Sequence, residues 1–252
     1  MVKTERKRKY DWLIFDADHT VLNFLADEKD AFCALYNELR VEITGELLSA
    51  SRLASEETWT QAGLYDVHEK DVQARYHTVY RSHVEDIFKR LFTEFPLLQE
   101  KGVSARVLGD KFLKNLEAGG NYMDGAKETL SALSHKTGGA YRIAIATNGL
   151  SDIQRSRLKD LEKYADEFFI SEEIGCIKPL PAFFEKAFAR CQTDASRCLM
   201  IGDSLSSDMA GATAVGMDCC WINVGGIQNE TEIKPTYEIH CLSALISLLE
   251  SE

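Results

Sequence analysis

The sequence predicts an α/β protein: a mostly parallel sheet interrupted after its first strand by an all-helical insertion. Three observations carry this expectation. A four-residue apolar run, Trp12-Leu13-Ile14-Phe15, stops abruptly at Asp16-Ala17-Asp18. From Asp27 to Gly120 the apolar residues recur at helical spacing with no convincing strand. From Tyr122 onward, short apolar runs alternate with helical stretches, and such alternation implies parallel strands joined by right-handed crossovers.

The first run reads as a buried parallel strand, because it is continuous and apolar and is bounded by turn-forming residues. In Asp27 to Leu39, Ala31, Leu35 and Leu39 fall at four-residue steps with Phe32 and Tyr36 beside them, which makes one apolar stripe. Similar stripes recur in Leu53 to Ala62, Val72 to Leu91 and Arg106 to Leu116. The expected division is therefore residues 1–22 and 120–252 as a core, with 23–119 as the helical insertion.

Beyond it, Asp124-Gly125-Ala126 leads into a helix through Leu133, and Gly138-Gly139 breaks the chain. A second strand, Arg142 to Ala146, ends at Thr147-Asn148-Gly149, where Ser151 or Asp152 can cap the next helix. Glu167 to Ile170 forms a third strand, followed by Lys178-Pro179 and a helix that Pro181 opens. Cys198 to Ile201 forms a fourth, stopped by Gly202-Asp203, with Ser207 or Asp208 starting another helix. Cys219 to Val224 and a short strand near Ile239 complete the sheet before a closing helix.

Composition narrows the function. With 29 Lys and Arg against 40 Asp and Glu, the net charge of −11 argues against a nucleic-acid backbone or an anionic membrane surface as partner. Any phosphate ligand then needs local positive charge from a metal or a placed lysine. The seven cysteines have no C-x-x-C spacing, so neither a disulfide framework nor a zinc site is expected. Met1 to Tyr10 is basic but precedes only four apolar residues, too few for a signal peptide's apolar segment, and no stretch approaches the roughly 20 apolar residues of a membrane span. A cytoplasmic setting is expected. Residue spacing specifies no oligomeric state.

In an open parallel sheet, ligands bind at the carboxyl ends of the strands. Four loops there offer Asp16 and Asp18, then Thr147 and Asn148, then Lys178, then Asp203 and Asp208. Each alone has an ordinary explanation as a turn, a solvated charge or a helix cap. Together they supply the parts that phosphoryl transfer needs. Asp16, at the strand end, suits the nucleophile that forms an aspartyl phosphate. Asp18 suits the acid that protonates the departing alkoxide and later activates water. Two carboxylates one residue apart repel unless a cation, a proton or hydrogen-bond donors offset them; Mg²⁺ would do so and is the expected ion, held by Asp16, Asp203 and the Asp18 loop. Lys178 balances the negative charge, Thr147 with neighbouring N–H groups holds the phosphoryl oxygens, Asn148 and Lys178 join Thr147 in binding the substrate, and Asp208 supports the site.

These motifs resemble those of the haloacid dehalogenase-like (HAD) hydrolases. The likeness rests on Asp16-x-Asp18-x-Thr20 after an apolar strand, Thr147-Asn148-Gly149, Lys178-Pro179, and Gly202-Asp203-x4-Asp208, in that order. It covers residues 10 to 24 and about 120 to 250. The resemblance implies a Rossmann-like core, a helical cap over the site, Mg²⁺, and the roles above. Within the family the chain looks most like the noncanonical pyrimidine nucleotidases, whose first motif also reads Asp-Ala-Asp followed by a non-glycine residue, here His19. The expected reaction is hydrolysis of small phosphomonoesters, nucleoside 5′-monophosphates first among them. A sugar-phosphate phosphatase, a phosphomutase, a metal-independent 2-haloacid dehalogenase and a regulatory protein without catalysis are the alternatives. In the insertion, Trp59, Tyr65, Arg75, Tyr76 and Tyr80 are expected to be packing residues first and pocket residues second, with Trp59 and Arg75 the leading pocket candidates.

Overall fold

A computed structural model describes residues 8–251; residues 1–7 of the basic amino-terminal segment and Glu252 lie outside the described residues. Six strands form one sheet in the order β3-β2-β1-β4-β5-β6: β1 (Trp12–Phe15), β2 (Arg142–Thr147), β3 (Glu167–Ile170), β4 (Cys198–Gly202), β5 (Asp218–Ile222) and β6 (Tyr237–Ile239). Every pairing is parallel. Chain order reverses between β1 and β4, which opens the crevice where doubly wound sheets bind ligands.

The period-two alternation of a strand explains both faces. Leu13, Phe15, Ile143, Ile145, Leu199 and Ile201 point into one apolar layer. The intervening Trp12, Ile14, Ala144, Ala146, Cys198 and Met200 point into the opposite layer. Helices α6 (Ala126–Leu133) and α11 (Ala244–Ser251) cover the first face, while α9 (Pro181–Cys191) and α10 (Ala210–Ala214) cover the second.

Five helices fill the segment between β1 and β2 ahead of α6: α1 (Phe24–Glu38), α2 (Gly45–Gln61), α3 (Lys70–Glu94), the short α4 (Pro96–Gln99) and α5 (Ala105–Leu116). Asn23, Thr44 and Ser104 cap α1, α2 and α5 by accepting from the N–H groups of Ala26, Leu47 and Val107, which satisfies donors that a helix leaves open. Phe32, Leu35, Ile87, Phe88, Leu108 and Phe112 form their common apolar centre, and Leu150, Ile153 and Ile177 from the sheet edge join it. The chain leaves the sheet and returns to it side by side: Asn23 N donates to Asn121 O (2.8 Å) and Met123 N to Val21 O (3.0 Å).

Two local expectations are corrected. Neither Ser151 nor Asp152 caps α7 (Ser151–Arg157); the capping position is Leu150, and Glu172 from the neighbouring α8 (Ser171–Ile174) accepts from Ser151 N at 2.7 Å instead. The carboxylate needed at that terminus thus comes from another loop. Ser207 and Asp208 do not start a regular helix either. A single wide turn, Leu205–Met209, precedes α10, and Ser204 caps it by accepting from Ser207 N at 3.2 Å. Such wide turns often sit at functional sites, and this one carries Asp208 inward. Among the described residues, no helix is long and apolar enough to cross a membrane.

Candidate functional site

Phe15, Ile145 and Ile201 share one register level. Their successors Asp16, Ala146 and Gly202 therefore cross the carboxyl edge together, and Asp16 N donates to Ile201 O at 2.8 Å. Gly202 is required by space: a Cβ there would lie 2.2 Å from Asp208 Oδ2. After Asp16 the chain turns sharply, with Val21 N and Leu22 N both donating to Ala17 O. His19 takes φ +59° in this turn. The left-handed conformation costs an ordinary residue roughly 1–2 kcal/mol, and His19 N recovers part of that by donating to Leu22 O at 2.8 Å.

Lys178 is 1% exposed and lies at the centre of the sheet edge. Its Nζ donates to Asp16 Oδ1 (2.6 Å), Asp208 Oδ1 (2.7 Å) and Ala146 O (2.7 Å), which uses all three ammonium hydrogens. Burial works against the charge, but Asp16 and Asp208 outweigh it and hold the lysine protonated. Asn148 fixes the lysine from behind: its Nδ2 donates to Lys178 O and its Oδ1 accepts from Lys178 N, both at 2.8 Å. Asn148 was expected to hold substrate, yet its side chain positions Lys178.

A second buried network was not legible from spacing. Gln154 Nε2 donates to Thr147 Oγ1 (2.7 Å) and to Asp18 Oδ2 (2.9 Å), while Gln154 Oε1 accepts from Arg157 Nη1 (2.8 Å). Arg157 Nη2 forms an ion pair with Asp18 Oδ1 at 2.7 Å, and Nε and Nη2 both donate to Asp27 Oδ2. Asp27 Oδ1 in turn accepts from Gly120 N, Asn121 N and Asn121 Nδ2. Burial alone would raise the Asp18 carboxyl, but the Arg157 charge beside it brings it below the usual range. Asp18 is thus held as a carboxylate facing Arg157.

Asp16, Asp18, Thr147, Lys178 and Asp203 line one cavity of about 280 Å³ roofed by the inserted helices. Trp59, Tyr76 and Tyr80 line it as well, although Tyr76 and Tyr80 are 3% and 9% exposed; these aromatics serve packing and pocket together. Tyr65 reaches the rim, 60% exposed. Arg75 does not contribute to the cavity, since it faces solvent and pairs with Asp71 at 2.8 Å one turn earlier on α3.

The residues fit a divalent cation. Carboxylate oxygens of Asp16, Asp203 and Asp208 lie within 4.8 Å of one another. Burial pushes the Asp16 carboxyl up to about 7 despite Lys178, and burial with the nearby Asp16 charge does the same to Asp203. One buried ammonium therefore does not balance the acidic set, and an all-oxygen donor group suits Mg²⁺. Asp16 and Asp203 face the cavity. Asp208 lies behind them, tied to Lys178 and accepting from Ser204 N. Asp18 is also expected at the metal; its Oδ1 faces Arg157 Nη2 in an ion pair without a hydrogen bond, and its Oδ2 accepts from Gln154 Nε2.

Comparison with known proteins identifies relatives of the whole chain. A model of the haloacid dehalogenase-like hydrolases matches residues 10–216. The HAD-hydrolase YfnB of Bacillus subtilis is 32% identical, with 97% of each chain covered. A YfnB structure described as bound to magnesium superposes with a TM-score of 0.76 over 96% of this chain and 99% of that one. Pyrimidine 5′-nucleotidase PynA of Streptococcus pneumoniae is 31% identical, covering 96% of this chain and 95% of its own. Pyrimidine 5′-nucleotidase YjjG of Escherichia coli is 28% identical, covering 96% and 98%.

Proposed function

The chain belongs to the haloacid dehalogenase-like hydrolases, and from that premise we propose that it is a Mg²⁺-dependent phosphatase of nucleoside 5′-monophosphates, pyrimidine nucleotides in particular. The observation that carries the reading is the buried Lys178 ammonium bridging Asp16 and Asp208 on the cavity that Asp18, Thr147 and Asp203 share. The names of PynA and YjjG supply the substrate class.

Asp16 attacks phosphorus and the P–O bond to the nucleoside breaks, which leaves an aspartyl phosphate and an alkoxide that takes a proton from Asp18. Water then attacks phosphorus while Asp18 accepts its proton, and the bond between phosphorus and the Asp16 oxygen breaks, which releases inorganic phosphate and restores the Asp16 carboxylate. The second half suits the resting geometry, where Arg157 keeps Asp18 a carboxylate. In the first half the substrate's own negative charge counters Arg157 and lets Asp18 carry a proton. Lys178 orients Asp16 and offsets its charge, and Thr147, held by Gln154, offers its hydroxyl to a phosphoryl oxygen. Asp16 and Asp203, with the Asp18 carbonyl, would hold Mg²⁺, which would neutralise charge on the phosphoryl oxygens.

The inserted helices act as a cap spanning residues 23–119, with residues 1–22 and 120–252 as the catalytic core. All seven cysteines are free thiols, which accords with a reducing cytoplasm. The partner is a small phosphorylated metabolite rather than a polymer or a membrane. The test is release of phosphate from a panel of pyrimidine, purine and sugar monophosphates. Hydrolysis should require Mg²⁺ and stop on chelation. Hydrolysis that survives chelation, or halide release from a 2-haloacid without metal, would overturn the reading.

A further inference from the structure

The cavity extends past the phosphoryl chemistry into a second polar group that the proposed mechanism does not use. Glu28 on α1 lines it although the residue is only 2% exposed, an expensive place for a carboxylate. Ser55 on α2 donates its hydroxyl to Glu28 Oε1. The other oxygen, Oε2, lies 3.6 Å from Arg52 Nε, an ion pair without a hydrogen bond. Both residues line the cavity, and Arg52 Nη2 also lies 3.6 Å from Glu56 Oε2; the group thus brings to the cavity one carboxylate oxygen that accepts no hydrogen bond and one guanidinium. Around them the wall is aromatic: Trp59 meets Tyr80 edge to face with ring centroids 5.1 Å apart, and meets His83 in the same way at 5.2 Å. His19, from the turn after Asp16, lines the same cavity.

We propose that Glu28, Arg52 and Ser55 form the subsite that reads the hydrogen-bonding edge of a pyrimidine base, with Trp59 and Tyr80 bounding the ring. This rests on the nucleotidase reading above and adds the residues that select the base. Cytosine presents an amino donor beside a ring-nitrogen acceptor, and uracil an imino donor between carbonyl acceptors. Each matches one acceptor next to one donor. Guanine carries a matching O6 and N1–H pair too, but on a double ring, and its adjacent N1–H and 2-amino donors call for both carboxylate oxygens, one of which Ser55 occupies. Adenine carries a matching pair, but on a double ring. The cavity of about 280 Å³ lies just below the roughly 300–1,000 Å³ usual for small-molecule sites, which favours the single ring.

The experiment compares kcat/KM for UMP, CMP, AMP, GMP and p-nitrophenyl phosphate in the Mg²⁺-supplied wild type, Glu28→Gln, Arg52→Met and Ser55→Ala. The aryl phosphate has no base edge. In Glu28→Gln and Arg52→Met, the ratio of UMP or CMP to aryl phosphate should fall roughly 10- to 100-fold, the worth of a hydrogen bond to a charged group. Ser55→Ala, by freeing Oε1, should raise GMP relative to CMP. Arg52, half exposed on α2, guards against misfolding of the buried Glu28 variant. If the wild type cleaves pyrimidine nucleotides and both ratios stay unchanged, the subsite is wrong and the nucleotidase reading stands. If the wild type cleaves the aryl phosphate but no nucleotide, that reading fails and takes the subsite with it.

Discussion

Arg157 and Asp27, 130 residues apart in the chain, form a buried ion pair in which two guanidinium nitrogens reach one carboxylate oxygen, at 2.9 and 2.6 Å. The side chains are 1% and 0% exposed. The same Nη2 pairs with Asp18. Removing the cation strands the buried Asp27 carboxylate and leaves the partly exposed Asp18 without its partner, and breaking a buried pair from one side costs about 3–5 kcal/mol. Arg157→Met should lower the unfolding midpoint in urea accordingly, whereas an exposed pair such as Arg75 with Asp71 should cost less than about 1 kcal/mol on Arg75→Met. Equal effects from both variants would contradict this account.

Lys178 should tolerate neither loss nor enlargement. Lys178→Met leaves Asp16 and Asp208 facing each other without their shared cation, with a stability cost of about 3–5 kcal/mol and no turnover. Lys178→Arg keeps the charge, but a planar fork cannot reproduce three donors converging from one atom. Phosphate release near the wild-type rate by Lys178→Arg would show that charge alone suffices. Asp16→Asn should be folded and inactive; a melting curve together with phosphate release separates the two effects.

Gly202→Ala tests how closely Asp208 must approach. The added methyl would meet Asp208 Oδ2 at 2.2 Å, so the wide turn carrying Asp208 must retreat and take one of Lys178's three acceptors with it. Overpacking of this kind costs about 1–3 kcal/mol. Turnover should fall by a larger factor than stability alone explains, measured under conditions where the variant remains folded.

Acid and metal should act on the same carboxylates in opposite directions. Asp16 and Asp203 are raised to about 7 in the fold, against about 3.9 for free aspartate in the unfolded chain. Between those values the folded state binds more protons than the unfolded one. Their contribution to stability is therefore full at low pH and is lost as pH rises through about 7. Without divalent ions, the stability difference between wild type and Asp203→Asn should shift against the wild type on going from about pH 5.5 to 7.5. Added Mg²⁺, which binds only the ionised groups, should raise the wild-type melting temperature more at the higher pH. Equal Mg²⁺ shifts at both pH values would sink the argument.

The residues most legible in the sequence were those whose position follows from a strand ending, while Lys178 and Asp208 were legible through the short motifs around them. Asp16 and Thr147 come directly after an apolar run and Asp203 one residue later, and parallel register brings such positions to one edge whatever the rest of the chain does. Asp27, Gln154 and Arg157 gave no comparable signal, because each sits on a helix where a polar residue is ordinarily solvated. Their burial depends on how helices from distant parts of the chain meet. A partial cue existed in Asp27, which follows the Asn23 cap in the first turn of α1, but a helix start attracts acidic residues for its own reasons. Arg75 misled for the converse reason: helical spacing near aromatic residues does not say which side of α3 a long side chain takes.

The two crossings between the sheet and the inserted helices run side by side, joined through Asn23 and Asn121. Their ends already touch, so replacing everything between them with a short loop asks for no rearrangement of the strands. Asp27 would be deleted in such a graft, and Arg157 would lose one of its two counter-ions, the fully buried one. Whatever segment replaces the helices must therefore bring an acidic group back to that point, which makes a carboxylate there the one feature that exchangeable roofs on this scaffold would have to share.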